Sequence, residues 1–85
     1  MGVYSVQISR SAERQIEALP QRDRRAVIAT IQGLAFEPRP HGCRRMKASN
    51  SWRVRVGRYR VIYDIDDLSV VVLILKVGHR KDVYR

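Results

Sequence analysis

Residues 52–65, which read WRVRVGRYRVIYDI, decide the fold of this chain. Apolar and charged residues alternate on both sides of a central Gly-Arg pair, which is the pattern of two strands joined by a tight turn. The apolar residues of the first strand must face a core, so Arg53 and Arg55 share the opposite face. The turn brings Arg60 of the second strand, residues 59–65, back beside Arg55 on that face. The stretch therefore predicts a hairpin that presents three guanidinium groups on one open sheet surface.

The segments on either side of this hairpin predict two helices and three more strands. Residues 4–8 alternate as a short strand, and the serines after them can cap a helix that begins near Ala12. A longer amphipathic helix is predicted over residues 21–36. Residues 43–46 are a weak strand candidate, whereas residues 69–77 are apolar on both faces and predict a central strand. The order β-α-α-β-β-β-β predicts an α+β fold in which two N-terminal helices pack on one face of a mostly antiparallel sheet.

The charge of the chain is strongly positive and unevenly distributed. Its 85 residues, expected to form a single domain over residues 1–85, include 17 Lys and Arg against 8 Asp and Glu, a net charge of +9. Most of the cations are Arg, whose planar fork matches phosphate geometry. No acid lies between Glu37 and Asp64, although eight cations do. Such a field attracts polyanions, so nucleic acid is the expected partner, and a merely solvated basic face is the alternative.

Other classes of site have little support in the sequence. A lone Cys43 can form neither an internal disulfide nor a metal framework, and no Gly-rich phosphate loop occurs. Asp66 and Asp67 are better explained by a hairpin turn than by a divalent-metal site shared with Asp64. No metal or cofactor is therefore predicted. The N-terminus lacks the pattern of a signal peptide and the longest apolar run is too short to cross a membrane, so a cytoplasmic protein without a membrane partner is expected.

The last eight residues, 78–85 (GHRKDVYR), directly follow the predicted central strand. A strand end is a common place for a site, because the strand fixes the backbone while its tip stays reachable. His79, Arg80 and Tyr84 supply an imidazole, a cation and a phenol, which are the groups needed for chemistry on a phosphodiester. Simpler interpretations are a loop histidine at position 79 and a terminal aromatic anchor at position 84.

Three segments carry a resemblance to a known family. They are residues 34–40 (LAFEPRP), residues 52–63 (WRVRVGRYRVIY) and residues 77–84 (VGHRKDVY). Together they resemble the RelE/ParE superfamily of toxins from type II toxin–antitoxin systems, and the RelE branch more closely. The resemblance covers essentially all of the chain, and the family fold agrees with the predicted order of elements.

This resemblance implies a toxin that cleaves mRNA in the ribosomal A site without a metal and so inhibits translation. It implies catalytic roles for Arg60, Arg80 and Tyr84, and it places His79 where members of the family vary between lysine and histidine. The residues predicted to bind RNA or phosphate are Arg53, Arg55, Arg45, Lys47 and Lys81. The implied partners are the ribosome, mRNA and a RelB-like antitoxin that is acidic or amphipathic, with operator DNA bound only through the antitoxin.

The chemistry of such a cleavage starts from the RNA itself, whose 2′-hydroxyl is the nucleophile. Arginines beside the phosphorus would stabilise the charge that builds on the phosphoryl oxygens. Surrounding positive charge is expected to lower the pKa of Tyr84 and favour it as the base, with His79 as a candidate acid; orientation of the RNA by the ribosome is the alternative source of rate. Two other functions stay open: a ParE-like, non-nucleolytic poison of DNA gyrase, and an RNA-binding module without turnover.

Overall fold

The computed structural model describes residues 3–79, which form two helices and a five-stranded sheet. In chain order the elements are β1 (Ser5–Ile8), α1 (Arg10–Glu17), α2 (Gln21–Leu34), β2 (Arg44–Arg45), β3 (Trp52–Val56), β4 (Tyr59–Asp66) and β5 (Val71–His79). The predicted order β-α-α-β-β-β-β is confirmed. No helix within residues 3–79 is long and apolar enough to span a membrane.

The sheet has the strand order β1-β5-β4-β3-β2. Strand β1 pairs with β5 in parallel, whereas the other three pairings are antiparallel, so the predicted mostly antiparallel sheet is confirmed. Strand β5 has a neighbour on each side, as its continuous apolar pattern predicts. The middle position belongs to β4, however, because β1 joins the sheet beyond β5 rather than beside the hairpin.

The first helix begins two residues earlier than predicted. Ser9 is its N-cap, and the Ser9 hydroxyl oxygen accepts a hydrogen bond from the backbone N–H of Ala12 at 3.1 Å. This bond satisfies one of the amide groups that an α-helix leaves unpaired at its start. Helix α1 therefore begins at Arg10.

The hydrophobic core lies between the two helices and one face of the sheet. Helix α2, predicted to be amphipathic, contributes an apolar stripe of Val27, Ile31 and Leu34, all of them buried. The ring of Tyr63 on β4 is completely buried, and its hydroxyl donates to the backbone carbonyl of Pro38 at 2.8 Å. Burial raises the pKa of Tyr63 well above its ordinary value. Helix α2 ends at Leu34, two residues before its predicted end at position 36, and Phe36 is 73% exposed.

One irregularity decides which side chains of β5 face the core. Ile62 of β4 pairs with Lys76, but the next residue, Tyr63, pairs with Ile74, so Leu75 is an extra residue on β5. Such a bulge reverses the alternation of the strand beyond it. As a result Lys76 lies on the open face of the sheet, and Val77 is buried in the core.

Candidate nucleic-acid interface

The strand register gathers four arginines on the open face of the sheet. Arg55 on β3 lies directly opposite Arg60 on β4, and Arg44 on β2 lies opposite Arg53 on β3. Directly opposed residues share a face and have neighbouring side chains. These four residues, called the arginine face below, line a concavity of about 360 Å³. None of the described residues that line it carries a carboxylate, so the concavity is suited to an anion.

The arginines differ in their exposure to water, which corrects one expectation. Arg55 is exposed and Arg53 is half-buried, but only 7% of Arg60 is accessible, so the prediction of three exposed guanidinium groups is wrong for Arg60. Arg60 lies on the middle strand, with Arg55 beside it on β3 and Gly78 beside it on β5. A buried guanidinium keeps its charge, and that charge acts through a lower effective dielectric than one in water.

Arg44 was not among the residues singled out from the sequence. Strand β2 is only two residues long, and the residues joining it to β3 give no clear register from their sequence. The structure shows that Arg44 and Arg53 also line a second concavity of about 620 Å³, which Arg45 and Lys47 border. The Arg45 side chain donates to the Oδ1 atom of Asn50 at 2.9 Å, and Lys47 is exposed. The two predicted phosphate-binding residues of this segment thus lie beside the arginine face without being part of it.

The structure separates His79 from the arginine face. His79 pairs with Tyr59, and the two rings meet edge to face with their centroids 5.9 Å apart. Tyr59 packs against the hydrophobic core and its hydroxyl donates to Asp23 of α2 at 3.2 Å, so this pair lies on the helix side of the sheet. Burial and the nearby Asp23 carboxylate raise the pKa of Tyr59. The residue of β5 that lies beside Arg60 is Gly78.

Arg80, Lys81 and Tyr84 lie outside the described residues. The structure does fix the strand that precedes them. Gly78 and His79, the last two residues of β5, lie opposite Arg60 and Tyr59 at the hairpin end of the sheet. The roles assigned to Arg80, Lys81 and Tyr84 stay predictions.

One cation of the acid-free segment has a structural role. Arg39 forms an ion pair with Asp67 at 2.8 Å, and its guanidinium lies 5.2 Å from the ring centroid of Trp52. Asp67 also accepts a hydrogen bond from the Tyr4 hydroxyl at 2.7 Å, and its two partners hold the pKa of this carboxyl below its usual value. Trp52 packs against the core, as its alternation with Arg53 predicts. Within residues 3–79 no cluster of three His, Cys, Asp or Glu side chains could hold a metal ion.

A second surface of the molecule is apolar rather than cationic. A groove of about 600 Å³ runs between β1 and α2. Its lining residues are Val6, Ile8, Ile28, Ile31, Gln32, Ala35 and Phe36. Phe36, Ile28 and Ile8 keep 73%, 39% and 37% of their surface accessible. Exposed apolar side chains grouped along one groove are typical of a protein-binding surface, and this surface is called the apolar groove below.

Comparisons with known proteins agree on one family. Residues 6–84 match the family model described as the ParE toxin of type II toxin–antitoxin systems, parDE. The chain is 38% identical over 84 residues to Toxin RelG of Mycobacterium tuberculosis, an alignment that covers 96% of this chain and 97% of RelG. It resembles a chain of the RelBE2 toxin–antitoxin complex from Mycobacterium tuberculosis with a TM-score of 0.80 and 33% identity, covering 92% and 99% of the two chains. For the archaeal RelE–RelB complex from Pyrococcus horikoshii OT3 the TM-score is 0.84 and the identity 27%, covering 94% and 98%. The chain therefore belongs to the RelE/ParE family of toxins from type II toxin–antitoxin systems.

Proposed function

We propose that this toxin is a ribosome-dependent, metal-independent endoribonuclease that cleaves mRNA and so inhibits translation. The observation that carries the proposal is the arginine face: four guanidinium groups around one concavity whose described lining holds no carboxylate. Identity of 38% to a Rel-type toxin supports the RelE branch. A phosphodiester fits such a surface, since arginine forks bind phosphate oxygens in a bidentate geometry.

The proposed reaction is an internal transfer at phosphorus. The 2′-oxygen of the RNA loses its proton and attacks the adjacent phosphorus, and the bond from phosphorus to the 5′-oxygen of the next nucleotide breaks. The products are a 2′,3′-cyclic phosphate and a 5′-hydroxyl that has gained a proton. Negative charge builds on the non-bridging oxygens, where Arg60 would stabilise it.

The removal of the 2′-hydroxyl proton is assigned to the C-terminal segment. Tyr84 is proposed to orient or deprotonate the 2′-hydroxyl, and Arg80 to neutralise the scissile phosphate. Neither side chain has an ideal ordinary pKa for neutral pH, so orientation of the RNA by the ribosome supplies part of the rate. The position of His79 against Tyr59 does not support its predicted role as the acid, because the rings lie on the helix side of the sheet.

The proposed regulator is a RelB-like antitoxin. The two structural relatives named above are toxin–antitoxin complexes. An antitoxin segment with an apolar side would fill the apolar groove, and acidic residues elsewhere in it would neutralise the arginine face. Operator DNA would then be bound through the antitoxin.

One observation favours a second function. The matching family model is described as a ParE toxin, and a ParE-like chain would poison DNA gyrase without cutting RNA. The two functions predict different damage in arrested cells. Cleaved mRNA with intact chromosomes supports the endoribonuclease, whereas gyrase-linked DNA breaks with intact mRNA support the poison.

The arginine face is tested by the salt dependence of binding to ribosomes programmed with mRNA. Each phosphate contact to a single strand contributes roughly 0.7 to the slope of log affinity against log salt. Replacing Arg53 and Arg55 with Gln should therefore flatten the slope by about 1.4 and weaken binding. Replacing Arg22 and Arg25, two exposed residues of α2, with Gln removes the same charge and should change the slope little. Equal effects of the two double substitutions would rule out the arginine face as the binding surface.

A further inference from the structure

The end of β5 is held by two polar side chains, the N-cap Ser9 and Gln15 of α1, rather than by a strand. Strand β1 accompanies β5 only as far as the pair Ile8 and Ile74. Beyond that point the Ser9 hydroxyl donates to the carbonyl of Leu75 at 3.1 Å, and the backbone N–H of Val77 donates to the Gln15 side-chain oxygen at 2.7 Å. Helix α1 therefore supplies partners for backbone groups that β1 leaves uncovered.

The first of these hydrogen bonds is accepted by the extra residue Leu75 itself, and the second is donated by Val77, two residues beyond it. Leu75 sets the face of the residues that follow it. With the bulge in place, Lys76 lies opposite Ile62 on the open face, and Ile62 lies opposite Arg53. A slip that removed the bulge would turn Lys76 toward the core and Val77 toward solvent. Gln15 and Ser9 are thus placed to keep Lys76 on the same side as the arginines.

Lys76 extends the row that crosses the sheet through Ile62, Arg53 and Arg44. Two β-strand spacings, roughly 10 Å, separate the backbone of Lys76 from that of Arg53. Long cationic side chains can span this distance to contact phosphates of the same RNA chain. On the same face Asp64 lies two residues along β4 from Ile62, opposite Leu73, and its carboxylate accepts a hydrogen bond from the Ser51 hydroxyl at 2.5 Å. The cationic surface therefore ends before Asp64 along β4.

We propose that Lys76 is a further RNA-phosphate contact of the arginine face and that Gln15 is the positioning residue that keeps it there. The inference rests on the proposed function, since it concerns the RNA bound by that face. The proposal places the outer edge of the bound RNA on β5, a strand whose largely apolar composition gives no indication of RNA binding.

The first test measures binding to ribosomes programmed with an mRNA whose A-site codon is 2′-O-methylated, so that no attacking hydroxyl is present. Lys76→Gln should weaken binding about 10-fold, as expected for the loss of one hydrogen bond to a charged group, and flatten the salt slope by roughly 0.7. Lys76→Arg should restore both, and Arg25→Gln on α2 is the matched loss of one exposed charge.

The outcomes separate the inference from the proposed function. If wild-type protein and Arg55→Gln bind equally poorly or not at all, the proposed function fails. If wild-type binding is tight and Arg55→Gln weakens it, but Lys76→Gln behaves like Arg25→Gln, the role of Lys76 is overturned while the proposed function stands.

The second test couples Gln15 to Lys76. Gln15→Leu deletes the acceptor for the Val77 N–H, so exchange of that amide should accelerate, whereas Gln15→Glu keeps an acceptor and should retain protection. Gln15→Leu should weaken binding as much as Lys76→Gln, and the double variant should be no weaker than either single one. Additive losses in the double variant would overturn the positioning role, because they would show that Gln15 acts without Lys76. Should Gln15→Leu fail to fold, the milder Gln15→Ala is read in the same way.

Discussion

Replacement of Arg60 by Gln should remove most of the cleavage activity while leaving ribosome binding largely intact. Arg60 is only 7% accessible and lies directly opposite the exposed Arg55. Two unit charges about 4 Å apart interact by about 4 kcal/mol at an effective dielectric of about 20, but by about 1 kcal/mol in water. Burial therefore gives the charge of Arg60 several times the effect of the charge of Arg55.

Converted to rates at about 1.4 kcal/mol per decade, these energies separate the two arginines. Arg60→Gln should lower the maximal single-turnover rate by about 10²–10³-fold, which is also the typical loss for one charge-stabilising donor. Arg55→Gln should raise the half-saturating protein concentration about 5-fold and change the maximal rate little. Arg60→Lys keeps the charge without the bidentate fork, and its rate should lie between those of the wild type and Arg60→Gln.

The assay is single-turnover cleavage of mRNA on programmed ribosomes across a range of protein concentrations. Thermal unfolding of each variant controls for loss of the fold, since Arg60 is a buried residue. Full maximal rate in a folded Arg60→Gln variant would refute the reasoning that burial makes Arg60 the main electrostatic group. A larger loss of maximal rate in Arg55→Gln than in Arg60→Gln would refute it equally.

Three further predictions concern the tail, the core and the apolar groove. Tyr84→Phe should lower cleavage by about 10²-fold or more while binding and folding survive, and full activity in rapid-quench assays would reassign the base. Tyr63 has a pKa raised above its unfolded value, so the free energy of unfolding should fall as pH rises above about 10, where only the unfolded state ionises. Tyr63→Phe should lower the free energy of unfolding by about 1 kcal/mol at neutral pH. Denaturant titrations at neutral pH and above about pH 10 should show that stability declines less at alkaline pH in this variant than in the wild type. An unchanged decline would contradict the role of Tyr63 in it. Phe36→Ser should weaken antitoxin binding by about 10–100-fold with little change in toxin stability. Leu68→Ser, at a 98% exposed position on the β4–β5 turn, should leave antitoxin binding unchanged. Equal losses of antitoxin affinity in the two variants, measured by calorimetry, would show that the apolar groove is not part of the interface.

The alternation of side chains was enough to predict the face on which three arginines lie. Because β3 and β4 are joined by a two-residue turn, the register between Arg53, Arg55 and Arg60 follows from the sequence without knowledge of the rest of the fold. The same argument fails for Arg44. Its face depends on how a longer connection closes onto β3, and nothing in that connection fixes the register.

The bulge at Leu75 explains the largest gap between sequence and structure. A strand that is apolar on both faces hides its own alternation, so an extra residue leaves no trace in the sequence. The bulge is nevertheless what puts Lys76 on the open face and His79 on the helix side. Gln15, which accepts a hydrogen bond from the Val77 N–H just beyond the bulge, lies 62 positions away from Val77 in the chain, and such a contact follows only from the tertiary fold.

The burial of Arg60 was also beyond local reasoning. Alternation tells which face a side chain is on, but its exposure depends on whether its strand lies at the edge or in the middle of the sheet. Strand β4 lies in the interior of the sheet because it pairs with β3 on one side and with β5 on the other. The pairing of β4 with both neighbours, and not the alternation within β4, therefore places Arg60 away from the sheet edge.

The central claim of the proposed mechanism is that the RNA supplies the nucleophile, and this can be tested directly. Programmed ribosomes are prepared with two mRNAs that differ only in the A-site codon, which is ribose in one and 2′-deoxyribose in the other. The proposed mechanism predicts that the protein cuts the ribose mRNA, leaves a 2′,3′-cyclic phosphate and a 5′-hydroxyl, and does not cut the deoxyribose mRNA. An intact ribose mRNA, or equal cleavage of both, would contradict it.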